Sequence, residues 1–192
     1  MLDKKYLNSI KKNLLQYAEV RREVIKSSDD ALHNAKRAIF AMHRDNMKEA
    51  EEKLANSKNL LSSLLKKYAK YSEVTEEGSF KAGLEEYVEA SLFYQFLTTG
   101  KLTKITDMDV PEKSYVGGLC DVPGELYRYA IKSATEKDMD KVKKCANMAQ
   151  EITGELIEFN LTSYLRNKFD QAKMAAQKIE KVVYELSLNE SK

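Results

Sequence analysis

The stretch Gly83–Leu97, GLEEYVEASLFYQFL, has helical spacing and apolar residues on almost every side. Glu86 and Glu89 are three residues apart and leave a helix from one side, and that stripe continues into Ala90, Phe93 and Leu97. The opposite side carries Leu84, Val88 and Leu92. A helix apolar nearly all round must be enclosed by other elements, so the chain needs a fold with a central helix. Two carboxylates on its inward stripe need partners, because an unpaired buried charge is very costly. A metal ion is the simplest single partner for both.

The rest of the chain supplies helices to enclose it. From Asp3 into the forties no Gly or Pro intervenes, and Leu7, Ile10, Leu14, Tyr17 and Val24 form an apolar stripe. Beyond Ser27-Ser28, where a bend is expected, Ala31, Ala35, Ala38 and Met42 continue it. A second helix, Asn46–Tyr71, puts Met47, Ala50, Leu54, Leu61, Leu65 and Tyr68 on one face with near-heptad spacing, the pattern of coiled-coil-like packing. A polar segment, Ser72–Gly78, leads into the central helix, which Gly100 stops. A short piece at Thr103–Asp109 precedes Pro111, a helix begins close to Ser114, and two more run over Asp138–Phe159 and Tyr164–Leu188. No stretch alternates with the two-residue period of a strand. The expected fold is all-α, a bundle of about seven helices in one domain over residues 1–192.

Composition narrows the function classes. Seven Gly, two Pro and no Trp in 192 residues leave little material for turns or sheet. The net charge is only +2, from 32 basic and 30 acidic side chains, so any nucleic-acid surface must come from local arrangement and not from bulk charge. Cys120 and Cys145 have neither metal-type spacing nor a disulfide framework. With no signal peptide and no apolar run long enough to span a bilayer, a cytoplasmic location is expected.

A second constellation lies at Tyr115–Arg128, YVGGLCDVPGELYR. Asp121 and Glu125 share a helical face, and Gly118, Gly117 and Ser114 on the same stripe allow close approach of another helix backbone. Pro123 lies between the two acids. In a helix interior it removes the bond to the Leu119 carbonyl and is expected to kink the axis at a cost of about 3 kcal/mol. If this helix packs on the central one, Glu86, Glu89, Asp121 and Glu125 converge. An oxygen-only cluster without histidine suits hard cations such as Mg²⁺ or Mn²⁺. The ordinary alternative is a solvated acidic face, with Glu125 paired to Arg128.

Together these segments resemble the translin family, on the side of its catalytic members, the translin-associated factor X type. EYVEA at Glu86–Ala90 and the D-x-x-GEL segment at Asp121–Leu126 are similar to that family's acidic blocks. SSDDALHNAKRAIFAMHR upstream and KIEKVVYELSL downstream resemble two further blocks, in the right order. The resemblance implies a Mg²⁺-dependent endoribonuclease for single-stranded RNA in a hollow, ring-like, octamer-like oligomer. It maps the catalytic and metal-binding carboxylates onto Glu86, Glu89 and Asp121, with Glu125 a fourth catalytic acid that binds metal or orients the water. Pro123 departs from the family pattern, which has a small or hydroxylated residue there.

RNA must also be held. Arg21, Arg22, Lys36, Arg37 and Arg44, with Lys26 and His33, put cations along the first helix, and the arginine fork suits phosphate. Repeated around a ring, such faces would give a basic lining despite the near-zero net charge. The plain alternative is a solvated face interleaved with Glu23, Asp29 and Asp30. His43 is expected to pack or cap, and Tyr87, Tyr94, Tyr127 and Tyr129 to serve the core or interfaces. Three other readings stand beside the nuclease. The first is a non-catalytic RNA- or DNA-binding oligomer of the translin type. The second is a ferritin-like di-metal bundle, for which the two E-x-x-H motifs are missing. The third is a plain structural bundle. The heptad-like faces predict a homo-oligomer, and the resemblance leaves room for a translin-like partner chain.

Overall fold

The computed structural model describes residues 2–68 and 72–190, and among them the chain forms seven helices and no strand. They are α1 (Lys4–His43), α2 (Met47–Lys67), α3 (Ser72–Glu76), α4 (Gly78–Thr99), α5 (Glu112–Thr135), α6 (Met139–Ile157) and α7 (Ser163–Glu190). The second helix ends at Lys67, short of the expected Tyr71, and residues 69–71 lie outside the described residues. The polar segment before Gly78 holds the short α3. Thr103–Asp109 stays irregular, tied down where the Thr103 N–H donates to Gln95 Oε1 at 2.7 Å. Gly100 closes α4 in the left-handed conformation with φ 72°, its N–H donating to the Phe96 carbonyl, as a glycine C-cap does.

α4 is the axis of the bundle. It packs against α1, α2 and α3 on one side and against α5 on the other, while α5 in turn packs on α6 and α7. Leu84, Val88, Leu92 and Phe93 are buried together with Phe80, Tyr87 and Phe96, so α4 is enclosed on all sides. Small residues set the spacing of its neighbours. A Cβ at Gly83 would meet the Ser28 carbonyl of α1 at 3.2 Å, and one at Gly118 would fall 2.5 Å from the Glu85 carbonyl. The α4–α5 seam is thus as close as two helix backbones with glycine between them can come.

Two features of α5 and α1 bear on the site and the assembly. α5 runs through Pro123 as one continuous helical assignment, with Pro123 buried, so enclosure offsets the lost hydrogen bond. The N-terminal stripe of α1 is not covered: residues 2–16 are all exposed, Leu7, Ile10 and Leu14 among them. Burial of α1 begins at Val24 and continues through Ser28, Ala31, Ala35 and Ala38 to Met42. About 20 Å of helix therefore projects from the bundle. Among the described residues no helix is long and apolar enough to cross a membrane.

Candidate active site

The four acids singled out in the sequence meet at the α4–α5 seam. Glu86 and Glu89 stand on α4, and Asp121 and Glu125 face them from α5. Burial raises the Glu86 carboxyl to about 7, with Asp121 and Glu125 adding to the rise and Lys36 opposing it. Glu89 is only 8% exposed. Burial first, then the charges of Glu86, Asp121 and Glu125, hold it well above the usual carboxylate range. Burial also raises Asp121, against a hydrogen bond from Lys168. Glu86, Glu89 and Asp121 are each disfavoured by neighbouring carboxylates, which is the signature of like charges gathered in one place.

Three cations surround the cluster, each from a different helix. Lys36 of α1 stands 3.9 Å from Glu86. Glu125 accepts from the His43 ring, a very short contact, and lies 3.7 Å from Arg128. Lys168 of α7 donates to Asp121 and reaches Glu85 at 2.9 Å, while the Tyr164 hydroxyl donates to Glu85 at 2.7 Å. Burial opposes the Lys168 ammonium, but its hydrogen bonds to Asp121 and Glu85 outweigh that and raise its pKa.

The donor set fits a hard divalent ion in its chemistry, since it is all carboxylate oxygen. Glu89 strengthens the fit, because this nearly buried carboxyl has no hydrogen-bond or ion-pair partner among the described residues. The placement is not that of a finished ligand cage. Among the described residues no three His, Cys, Asp or Glu side chains are arranged to hold an ion as they stand, and Lys168 already neutralises Asp121.

The basic residues expected to hold RNA divide by their partners. Arg21 makes a two-pronged pair with Glu77, at 2.9 and 3.1 Å, and Arg22 donates to the Ala18 carbonyl. Arg44 caps α1 and pairs with Glu49 at 3.3 Å. Lys36 and Arg37 are exposed on the half of α1 that crosses the acid cluster.

With the geometry in place, comparison with known proteins decides the family. The family model for translin matches residues 19–190. The chain belongs to the translin family. The four blocks read from the sequence all fall inside that match. Among curated translin-family relatives it is similar to the translin-associated protein X homolog of Schizosaccharomyces pombe, at 24% identity over 94% of this chain and 87% of the relative. It is also similar to an uncharacterized protein of Methanocaldococcus jannaschii, at 26% identity over 85% of this chain and 75% of that one. Among solved structures the fold matches AfC3PO, with TM-score 0.89 and 24% identity over 97% of this chain and all of that one. It also matches a complex of AfC3PO with duplex RNA, with TM-score 0.87 and 24% identity over 96% of this chain and 97% of that one. The translin-like, all-helical architecture is therefore the fold of this chain.

Three residues of the site escaped sequence reasoning or were misjudged. Lys168 lies on the apolar stripe of α7, three residues after Leu165 and four before Ala172, and a cation on such a stripe signals a buried anionic partner. Glu85 adjoins Glu86 but leaves the helix about 100° away, on the side facing α7. His43, expected to pack or cap, does pack, its ring 5.2 Å from that of Phe93, but it also binds Glu125.

Proposed function

We propose that this translin-family chain is a Mg²⁺- or Mn²⁺-dependent endoribonuclease that cuts single-stranded RNA within a hollow homo-oligomer. The observation that carries the reading is Glu89. A carboxyl buried this far, without a partner among the described residues and flanked by three acids from two helices, has a reason to exist if a divalent cation joins them. Glu86, Glu89 and Asp121 would hold the ion. When bound it supplies a Lewis acid for the phosphoryl oxygens and a water acidic enough to attack near neutral pH.

The chain's own residues do the rest. Glu125, fixed between the His43 ring and Arg128, is positioned to orient a water and take its proton. Lys168 holds Asp121 at the seam. Lys36, beside Glu86 and open to solvent, offers an ammonium to a backbone phosphate next to the acids, and exposed Arg37 offers a fork to the next. The partners of Arg21 and Arg44 give those residues a lesser part. The kinship to the S. pombe protein X homolog and to C3PO structures supports both the RNA and the oligomer.

A second reading, an RNA-binding oligomer without catalysis, is favoured by two observations: Lys168 already neutralises Asp121, and among the described residues no three acids stand ready as ligands. End-labelled RNA separates the two. Cleavage of a single strand with Mg²⁺, abolished by chelator and by the double variant Glu86→Ala, Glu89→Ala, is the expected result. Binding without cleavage under every metal condition would leave the second reading standing.

A further inference from the structure

On α1, Lys36, Phe40 and His43 are spaced four and three residues apart and share one face. The first touches Glu86 of α4 and the last touches Glu125 of α5. Phe40, between them, is 53% exposed. Its ring is not bare: the Arg128 guanidinium stacks over it, 4.7 Å from the centroid, and the same guanidinium reaches Glu125 at 3.7 Å. A single exposed Phe needs no explanation on most surfaces. This one pairs with a guanidinium over its ring at the lip of the acid cluster, with Lys36, Arg37 and Arg44 three or four residues away along the helix. An apolar plane ringed by cations matches a polyanion that carries flat apolar faces.

We propose that Phe40 with Arg128 forms a stacking site for one unpaired RNA base, adjacent to the scissile phosphate; the proposal rests on the RNA-directed reading above. Bases within a duplex are stacked on each other and their faces are closed, whereas an unpaired base offers a free face. The site therefore selects for single strands without reading sequence, as aromatic platforms do. It also fixes the strand's register, because a base seated on Phe40 brings its flanking phosphates between Lys36 and the acids. Arg128 has a double part, covering the ring on one side and holding Glu125 on the other.

The test uses the full chain in chelator, so that binding is read without cleavage. Phe40→Leu, a substitution at an exposed position, is expected to weaken binding of an oligouridine RNA about tenfold and to leave duplex RNA essentially unchanged. Phe40→Trp introduces the sole tryptophan, since the chain has none. Its emission is expected to fall on adding oligouridine and to stay constant on adding an abasic strand of equal length. The proposal is overturned by unchanged affinity in Phe40→Leu, by equal weakening for single strand and duplex, or by equal quenching with the abasic strand. A change in particle mass on light scattering would instead make Phe40 a contact between copies of the chain, and would also overturn it. If the wild type binds no RNA, the functional reading falls with it. If the wild type binds but never cuts, catalysis fails and the stacking site still stands on the Phe40 results.

Discussion

Glu89 and Glu86 are carboxyls whose ionisation the fold resists, and the direction of that resistance makes a prediction. Both have folded-state pKa values above the unfolded range, Glu86 at about 7. A raised carboxyl contributes stability that is fully present below its unfolded pKa and lost as pH rises through its folded one. Without metal, the melting temperature should therefore drop between about pH 4.5 and pH 7. Mg²⁺ or Mn²⁺ should restore it near neutrality and do little in acid, where protonated carboxyls do not bind metal. Glu89→Gln should reduce both the drop and the restoration. Scanning calorimetry across pH, with chelator and with metal, reads all three, and a melting temperature indifferent to both would contradict the metal assignment. Lys168 gives a second prediction. Lys168→Met leaves Asp121 and Glu85 without their ammonium, which should cost about 1–3 kcal/mol in chelator. Because the ammonium also competes for Asp121, the metal-induced rise in melting temperature should be larger in this variant than in the wild type.

At the scale of elements, the α4–α5 seam depends on Gly118 of α5, and Gly124 of the same helix, outside the seam, is its control. A Cβ at Gly118 would fall 2.5 Å from the Glu85 carbonyl and 2.7 Å from the Val88 Cβ, while one at Gly124 meets nothing within 4 Å. Both substitutions by Ala gain about 1 kcal/mol of helix propensity. At Gly118 the overlap with backbone outweighs this, since overpacking costs about 1–3 kcal/mol and more against atoms that cannot move. Gly118→Ala should thus lower the melting temperature and weaken metal binding by spreading the acids, whereas Gly124→Ala should raise it slightly. The helices themselves were legible in the sequence, because a 3.6-residue period and stops such as Gly100 act locally. The acids were legible as two faces for the same reason. What periodicity does not carry is which side chain from a distant helix arrives opposite a given face. That is why Lys168, Glu85 and the His43–Glu125 pair emerged only from the fold. The penalty of Pro123 is likewise visible locally in the sequence, and the packing that offsets it is not.

For the whole molecule the first half of α1 is the telling part. Its apolar stripe of Leu7, Ile10 and Leu14, with Tyr6 and Leu15 beside it, is exposed, and residues 2–16 bury nothing in the bundle. This arm also lies outside the family match, which begins at residue 19. A helix of about 15 residues is marginal alone in water, and its apolar face gains by burial in proportion to the area removed from water. A second copy of the chain would supply the same heptad-like face, and the prediction at this scale is that the arms pack on each other. Light scattering should therefore give a particle several times 22.0 kDa at micromolar concentration. The double variant Leu7→Glu, Leu14→Glu should shrink that particle. The bundle's own melting should change by no more than about 0.5 kcal/mol, as for substitutions on a free surface. If the arms close the shell around the acid clusters, cleavage of RNA should fall in step with particle mass across a series of such variants. A wild-type chain of 22.0 kDa in solution would contradict the oligomer, and a smaller particle with undiminished cleavage would detach the proposed chemistry from the assembly.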